Sequence, residues 1–270
     1  TLAAKQALER ANLDPTDIDI IICATTTPDQ IMPSTGALIQ AQLGATNAAG
    51  MDVFAACSGF IYGITMVESM IRTGQIRYAL VIGAEVLTKY VDYTDRGTCV
   101  IFGDGAGAAV LGPVPEGKGI LATKIKSDGR YEEQLYAPGG GTRLGTTHET
   151  IDNGMHFFKM KGNELFKVAV RSMADISAEM LAKAGYTVED VDLVIPHQAN
   201  QRITDAVASR LGVAEEKVYS NIAYHGNTSS ASIPIAIDEC IETGKIKEGS
   251  LVLLTAFGGG VTWGGTVIRF

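Results

Sequence analysis

Short apolar runs alternate along this chain with longer segments in which apolar residues recur every three to four positions. The apolar runs at residues 18–24, 79–84 and 251–256 have the length of buried strands. The segments that begin at Phe60 and Ser229 have the spacing of amphipathic helices. Strands that alternate with helices predict βαβ connections, and therefore α/β sheets that are largely parallel and covered by helices on both faces.

The order of these elements occurs twice. Residues 8–24 (LERANLDPTDIDIIICA) resemble residues 181–197 (LAKAGYTVEDVDLVIPH), and the helix ends QLG and MIRTGQI match RLG and CIETGKI. Each copy then continues into an apolar strand and a glycine-rich corner, FGDGAG or FGGGVTWGG. We therefore predict two similar βαβαβ halves related by a pseudo-twofold axis. Their predicted bounds are residues 1–115 and 116–270.

The two copies differ at their beginnings. The second contains an apolar strand, residues 120–126, and a loop before its first helix, whereas the sequence starts inside the corresponding helix of the first. Residue 174 aligns with residue 1, so the first copy lacks the counterpart of the 54 residues from 120 to 173. We expect the natural protein to extend by about that length at its amino terminus, as the repeat requires a strand there.

Composition limits the classes of partner and compartment. The four cysteines are scattered without the spacing of a zinc site or a disulfide framework, which suits a reducing cytoplasm. The net charge of −8 argues against nucleic acid as a general partner. The apolar runs are far shorter than the ~20 residues of a membrane span. We thus expect a cytoplasmic protein with no metal, nucleic acid or membrane partner.

The repeat gives one cysteine a special position. Cys57 lies 17 residues before Gly74, and Asn227 lies 17 residues before Gly244, so the two occupy equivalent sites at helix amino termini. The free N–H groups and positive dipole there favour a thiolate, which predicts a lowered pKa for Cys57. His197 follows an apolar strand, at the edge where parallel sheets bind ligands. The pattern predicts a Cys–His–Asn cluster at the twofold axis.

Four motifs, AACSGF, PHQANQRI, HGNTSSASIP and AFGGGVTWG, together resemble the ketoacyl-ACP synthase III family of the thiolase superfamily. The resemblance spans all 270 residues. It implies a thiolase-like fold layered α/β/α/β/α and a homodimer. It also implies a decarboxylative Claisen condensation, in which an acyl-CoA primer, usually acetyl-CoA, reacts with malonyl-ACP to begin fatty-acid synthesis. Acyl-CoA and the acyl carrier protein (ACP) are then substrates, and no cofactor is implied.

The resemblance also implies residue roles. Cys57 matches the nucleophile that carries the acyl group, and His197 and Asn227 match the pair that binds the malonyl thioester oxygen. The backbone N–H groups of Cys57 and Gly259 match the oxyanion hole for the acylated cysteine, with the ring of Phe257 nearby.

Further matches concern substrate access. Residues that would line the pantetheine and CoA tunnel are Gly162, Asn163, Phe166, Ala199, Asn200 and Ile203, with Arg143 at the CoA phosphates. The cations that would meet the acidic carrier protein are Lys167, Arg202 and Arg210. Met32 lies in a loop, residues 25–34, that would reach the acyl pocket of the partner subunit, and a flexible methionine there could admit longer or branched primers.

Other functions have to be weighed against this one. A degradative thiolase would have a second cysteine in the glycine-rich corner, and residues 257–265 contain none. A cysteine hydrolase with a nucleophile elbow would have a glycine at the first position of AACSG, two residues before Cys57, and would leave Asn227 unexplained. A related condensing enzyme of secondary metabolism and a truncated, non-catalytic paralogue that acts as a binding partner stay open as alternatives.

Overall fold

The structure is a computed structural model that describes residues 1–270, except for the side chain of Asn163. The strands of the described chain are β1 (Ile20–Ala24), β2 (Ala49–Val53), β3 (Ala79–Val86), β4 (Asp104–Leu111), β5 (Gly119–Ser127), β6 (Leu135–Tyr136), β7 (Lys159–Met160), β8 (Leu193–Pro196), β9 (Leu251–Gly258) and β10 (Thr262–Arg269). The α-helices are α1 (Leu2–Ala11), α2 (Thr35–Leu43), α3 (Gly59–Arg72), α4 (His148–Asp152), α5 (Gly162–Ala184), α6 (Gln201–Leu211), α7 (Ile222–His225) and α8 (Ser232–Glu242).

Two four-stranded sheets dominate the fold. The first has the order β2-β1-β3-β4, and the second has the order β5-β10-β9-β8. In the first sheet β1 is parallel to β2 and β3, and β4 is antiparallel to β3. In the second, β8 is parallel to β9, and β10 is antiparallel to β9 and β5. The strand triplet β1-β3-β4 thus has the same arrangement as β8-β9-β10.

Matching helix ends explain why the repeat is visible in the sequence. The side chains of Ser34 and Asn200 each accept a bond from a free backbone N–H in the first turn of α2 or α6. The same two helices end at Gly44 and Gly212, with φ of 72° and 74°. Glycine adopts this left-handed conformation without steric penalty, so it ends the helix in both copies.

The central layer of the molecule consists of α3 and α8, which pack between the two sheets. Phe60 and Ile64 of α3 and Ile233 of α8 belong to one buried cluster with residues from β1, β3, β8 and β9. The outer face of the first sheet packs on α1 and α2, through Leu8 and Ile39. The outer face of the second sheet packs on α5, which contributes Ile176, Met180 and Leu181 to the core. Apolar area removed from water on these faces stabilises the layers in this order.

One predicted strand is wrong in extent. The sequence KVYSNIA, residues 217–223, precedes Asn227 as β2 precedes Cys57, which predicts a strand there, but only Val218 pairs with β8, as an isolated bridge to Val194. Beyond it, the Gln198 side chain takes the backbone groups that a strand would use. Its Nε2 donates to the Tyr219 carbonyl over 3.3 Å, and its Oε1 accepts from the Asn221 N–H over 3.0 Å. The chain then turns into α7.

Candidate active site

Cys57 lies in a short 3₁₀ turn, Ala56–Ser58, directly before α3, as the repeat predicts. Its side chain is buried, and Ala56 before it has φ of 46°, a conformation that a non-glycine residue rarely adopts. A Cβ at Gly59 would come within 2.9 Å of the Ala24 Cβ, so glycine lets α3 begin close against β1. The turn therefore fixes the thiol at the carboxyl end of the first sheet.

The expected lowering of the Cys57 pKa is wrong for this structure. Burial is the largest influence and raises the pKa of the thiol to about 12, with a smaller increase from the charge of Glu85. A hydrogen bond from the Ser229 hydroxyl and a backbone hydrogen bond act in the opposite direction but do not compensate. Desolvation disfavours the thiolate more than these donors favour it. The cysteine is consequently a protonated thiol at neutral pH.

Asn227 lies just before the second equivalent helix start, and its orientation is fixed by its own segment. Its backbone N–H donates to the Ile101 carbonyl and its carbonyl accepts from the Gly103 N–H, each over 2.9 Å. Its side-chain Oδ1 accepts a bond from the Ser229 N–H over 2.8 Å. Because Oδ1 is engaged there, the Nδ2 amide group is the part of the side chain left to donate to a ligand.

His197 directly follows β8, also as predicted. Its backbone N–H donates to the Thr255 carbonyl over 2.7 Å, which continues the pairing of β8 with β9. The ring is 1% exposed, and burial lowers the pKa of His197 to about 3. Its Nδ1 lies 2.7 Å from Ser232 Oγ at the beginning of α8. At neutral pH the imidazole is therefore uncharged and carries one N–H.

One segment, residues 227–232, connects the three predicted side chains. It contains Asn227, places Ser229 next to the turn that contains Cys57, and places Ser232 against His197. The 3₁₀ turn Ser229–Ala231 within it packs against the turn that contains Cys57. The structure thus brings all three to one location, where two halves of the chain meet.

The glycine-rich corner lies beside the same location. A Cβ at Gly258 would come within 2.7 Å of the Cys57 backbone nitrogen, so this glycine permits the approach. A Cβ at Gly259, the predicted oxyanion-hole residue, would come within 2.9 Å of the Leu135 carbonyl oxygen. Phe257 is 6% exposed and is part of a buried apolar cluster.

Several predicted tunnel residues share that cluster. Phe166, Ala199 and Ile203 pack with Phe257 between α5 and α6. Gly162 is the first residue of α5, and Asn200 uses its side chain to cap α6 by accepting from the Ile203 N–H. The side chain of Asn163 lies outside the described residues. Arg143 is exposed in the loop between β6 and α4 and does not belong to this cluster.

The predicted carrier-protein cations differ in their surroundings. Arg202 is exposed, with its guanidinium 5.7 Å from the centre of the Phe166 ring. Lys167 is exposed on α5, and Arg210 forms an ion pair with Asp175 over 3.2 Å. Met32 is 84% exposed in its loop, beside Ile31 at 97%. Met32 is therefore almost uncovered within this one chain.

Three residues of the site were not predicted. Ser229 and Ser232 stand two and five positions after Asn227, and Glu85 lies in β3 with 3% exposure. The Glu85 carboxylate accepts bonds from the Thr26 N–H and Oγ1, from Thr27 Oγ1 and from Ser230 Oγ, over 2.8–3.1 Å. Burial raises the pKa of Glu85 despite these donors. The serine-rich motif was a signal for two of the three, and nothing local identifies Glu85.

Within the described part of the chain, no three histidine, cysteine or acidic side chains are arranged to hold a metal ion. A search of the same residues for a helix of the length and apolarity of a membrane span finds none.

Comparison with known proteins gives consistent matches. Residues 51–129 match the family model described as 3-oxoacyl-[acyl-carrier-protein] synthase III, and residues 181–270 match the model for the C terminal of the same enzyme. The beta-ketoacyl-[acyl-carrier-protein] synthase III of Caldanaerobacter subterraneus subsp. tengcongensis is 50% identical over 270 residues, which cover 100% of this chain and 82% of that protein.

Solved structures agree with the sequence matches. The crystal structure of 3-oxoacyl-[acyl-carrier-protein] synthase III from Aquifex aeolicus superposes with a TM-score of 0.91 at 50% identity, covering 99% of this chain and 82% of that one. The priming beta-ketosynthase of the R1128 polyketide pathway superposes with a TM-score of 0.89 at 35% identity, covering 98% and 79%.

Proposed function

The chain belongs to the 3-oxoacyl-[acyl-carrier-protein] synthase III family, and we propose that Cys57, His197 and Asn227 perform its condensation. The enzyme is an acyltransferase that joins an acyl primer to malonyl-ACP with loss of CO₂. The observation that carries the assignment is the segment 227–232, which packs against the turn that contains Cys57, orients the Asn227 amide and bonds the His197 imidazole.

The first half-reaction transfers the acyl group to Cys57. Its Sγ attacks the thioester carbonyl of acyl-CoA, the bond between that carbon and the CoA sulfur breaks, and the proton of the thiol ends on the released CoA. The tetrahedral intermediate carries an oxyanion, for which we propose the backbone N–H groups of Cys57 and Gly259 as donors. Glycine at positions 258 and 259 supports this role, because it lets the corner approach the cysteine.

The second half-reaction makes the carbon nucleophile. The bond between the malonyl carboxylate and its carbon breaks, CO₂ leaves, and the electron pair forms an enolate whose oxygen accepts from His197 and Asn227. A neutral, buried histidine and an amide with its oxygen engaged elsewhere are both suited to donate. The enolate carbon attacks the acyl-Cys57 carbonyl, the C–S bond breaks, and the Cys57 sulfur regains a proton from solvent. The two half-reactions need only acyl-CoA and malonyl-ACP, and we propose no cofactor.

We propose that substrates reach Cys57 through the apolar cluster that includes Phe257. Phe166, Ala199 and Ile203 support a pantetheine tunnel between α5 and α6, with Gly162, Asn163 and Asn200 at its walls. We assign ACP docking to Arg202 with Lys167 and Arg210, and CoA phosphate contact to Arg143. Arg210 is the weakest of these, because Asp175 already neutralises it. We place the enzyme in the cytoplasm, where a reducing environment suits its scattered cysteines.

Acetyl-CoA is the proposed primer. The alternative is a condensing enzyme of secondary metabolism, like the priming ketosynthase of the R1128 polyketide pathway, but the 35% identity to that enzyme is below the 50% to the Aquifex enzyme. The experiment is incubation with labelled acetyl-CoA followed by intact-mass and peptide spectrometry. We expect one acetyl group on Cys57 and none in Cys57→Ser. The variants Cys23→Ser, Cys99→Ser and Cys240→Ser serve as matched controls and should all be labelled. Label on another cysteine, or none, would refute the assignment.

A further inference from the structure

Among the described residues, the hydroxyl of Ser232 is the hydrogen-bond partner of the His197 ring. Ser232 Oγ lies 2.7 Å from His197 Nδ1, and the two residues are 3% and 1% exposed. Ser232 is the first residue of α8, and His197 directly follows β8, so the bond joins two elements of the central packing. Because both groups are shielded from water, the proton between them cannot form its hydrogen bond with solvent instead.

The direction of this bond follows from the other partner of the hydroxyl. Ser232 Oγ also receives the Gln198 backbone N–H, over 3.4 Å. Within the described residues the hydroxyl proton has no acceptor other than His197 Nδ1. A hydroxyl that accepts from both neighbours would leave its own proton buried without a partner, which is unfavourable. The hydroxyl therefore donates to Nδ1, and Nδ1 carries no proton.

The donor of that second bond is itself held in place. Gln198 is 1% exposed, and its side chain donates to the Pro196 carbonyl over 2.7 Å and accepts from the Asn221 N–H over 3.0 Å. These bonds fix the peptide between His197 and Gln198 relative to α8. The Gln198 N–H is thus directed at the serine oxygen by a network that extends to the segment before Asn227.

We infer that Ser232 is a positioning residue that keeps the single proton of the His197 ring on Nε2. This rests on the proposed function for its catalytic meaning, since a ring with its proton on Nε2 is a donor to the enolate oxygen at that atom. The same ring is not a base toward the Cys57 thiol at Nε2. Asn227 is oriented in a similar manner, because Ser229 engages its oxygen and leaves its amide hydrogens free.

The first test needs no substitution at Ser232. The chain contains four histidines, so the imidazole ¹⁵N spectrum of histidine-labelled protein is simple, and the signals lost in His197→Gln identify those of His197. We expect an unprotonated Nδ1 that accepts a hydrogen bond and a protonated Nε2 at neutral pH. A protonated Nδ1 would overturn the inference, whatever the enzyme's activity.

The second test separates the half-reactions. Ser232→Ala should slow decarboxylation of malonyl-ACP about 10- to 100-fold, the range found when a partner that orients a metal-bound histidine is removed. Acylation of Cys57 should change less than threefold, and Ser232→Thr, which keeps a hydroxyl, should restore most of the decarboxylation rate. Ser177→Ala is the control, because Ser177 is a fully buried serine whose hydroxyl has no partner in the described structure.

The outcomes are distinguishable. Normal decarboxylation in Ser232→Ala, or equal slowing of both half-reactions with unchanged thermal stability, would overturn the positioning role. If His197→Ala left decarboxylation intact, the proposed function of His197 would fail instead, while the proton location given by the spectrum would stand on its own. Loss of the folded state in Ser232→Ala is detected by its melting temperature, and the decision then rests on the spectrum of the unsubstituted protein.

Discussion

The Ser230 hydroxyl shares its one proton between two acceptors, the Ala24 carbonyl oxygen at 2.8 Å and Glu85 Oε1 at 3.1 Å. Both bonds cross from the first sheet to the segment that contains Asn227. On its other oxygen, Glu85 accepts from Thr26 and Thr27 at the beginning of the loop that leads to Met32. A single buried carboxylate thus joins the active-site segment to the proposed acyl-pocket loop.

Glu85→Ala should lower the free energy of unfolding by about 3 kcal/mol, because it leaves the buried Ser230 hydroxyl and the half-buried donors of Thr26 and Thr27 without their charged acceptor. Glu248→Ala, at a side chain that is 84% exposed, should change it by less than about 0.5 kcal/mol. Denaturant unfolding followed by circular dichroism measures both. Equal stability of the two variants would show that the Glu85 network contributes little.

The raised pKa of Glu85 also predicts how the free energy of unfolding changes with pH. Burial raises it above the ordinary value of 4.5, so the folded protein retains this proton to higher pH than the unfolded chain does. Protonation of Glu85 therefore favours folding at low pH, and this contribution is lost as pH rises above 4.5. In Glu85→Gln the side chain cannot ionise. The difference in unfolding free energy between wild type and Glu85→Gln should consequently fall as pH increases from 4.5, and a flat or rising difference would contradict the shift.

Cys57 alkylation should depend steeply on pH. A pKa of about 12 means that the thiolate fraction, and with it the rate of reaction with iodoacetamide, rises about tenfold per pH unit between pH 7 and 9. Mass spectrometry of the Cys57 peptide gives the rate, and Cys57→Ala gives the background. A rate independent of pH would mean that the helix terminus outweighs burial and that the thiolate is already formed.

The sequence predicts the arrangement of this site better than its electrostatics. The repeat points to Cys57 and Asn227 because it makes them equivalent, and the TM-score of 0.91 with the Aquifex enzyme confirms the thiolase-like fold. The Cys57 pKa was predicted in the wrong direction, because helix position is local whereas burial depends on the packing of both halves. The partners of Glu85 and Ser232 lie up to 145 residues away along the chain. No local pattern encodes such contacts.

His197→Ala and Asn227→Ala should each reduce malonyl-ACP decarboxylation by about 10²–10³, the effect of losing one oxyanion donor. Acylation of Cys57 by acetyl-CoA should persist in both, since its oxyanion is assigned to backbone donors. Release of labelled CO₂ and acetyl-Cys57 formation are measured separately on the same preparations. Parallel loss of the two half-reactions would contradict this division between side-chain and backbone donors.

Arg202→Glu should raise the KM for malonyl-ACP about tenfold, equivalent to about 1.4 kcal/mol, because the reversed charge repels an acidic carrier protein. The KM for malonyl-CoA should change much less. Lys247→Glu is an equal charge reversal at another exposed site and should leave both values unchanged. If Arg202→Glu affects both thioesters equally, the patch is not a carrier-protein surface.

The edge of the first sheet is the predicted dimer contact. β2 is an edge strand; Met51 in the middle of it and Phe54 directly after it are 38% and 76% exposed. Pairing of β2 with its symmetry mate would join the two first sheets and cover these side chains. We expect a homodimer by light scattering and a monomer for Phe54→Asp, whereas Val114→Asp, at a residue that is 56% exposed in a loop, should remain dimeric. A fully active monomeric wild type would contradict the prediction.

Mixed dimers test whether Met32 serves the partner's site. If it does, then in a dimer of one wild-type subunit and one Met32→Trp/Cys57→Ala subunit, the single remaining Cys57 faces the introduced tryptophan. Acylation of that Cys57 by a branched acyl-CoA should fall strongly. In a dimer of one Met32→Trp subunit and one Cys57→Ala subunit, the single remaining Cys57 faces an unchanged Met32, and this dimer should retain that activity. Because Met32 is 84% exposed in one chain, a role across the interface is the arrangement that would bury it. The reverse order of activities in the two mixtures would place Met32 at the pocket of its own chain.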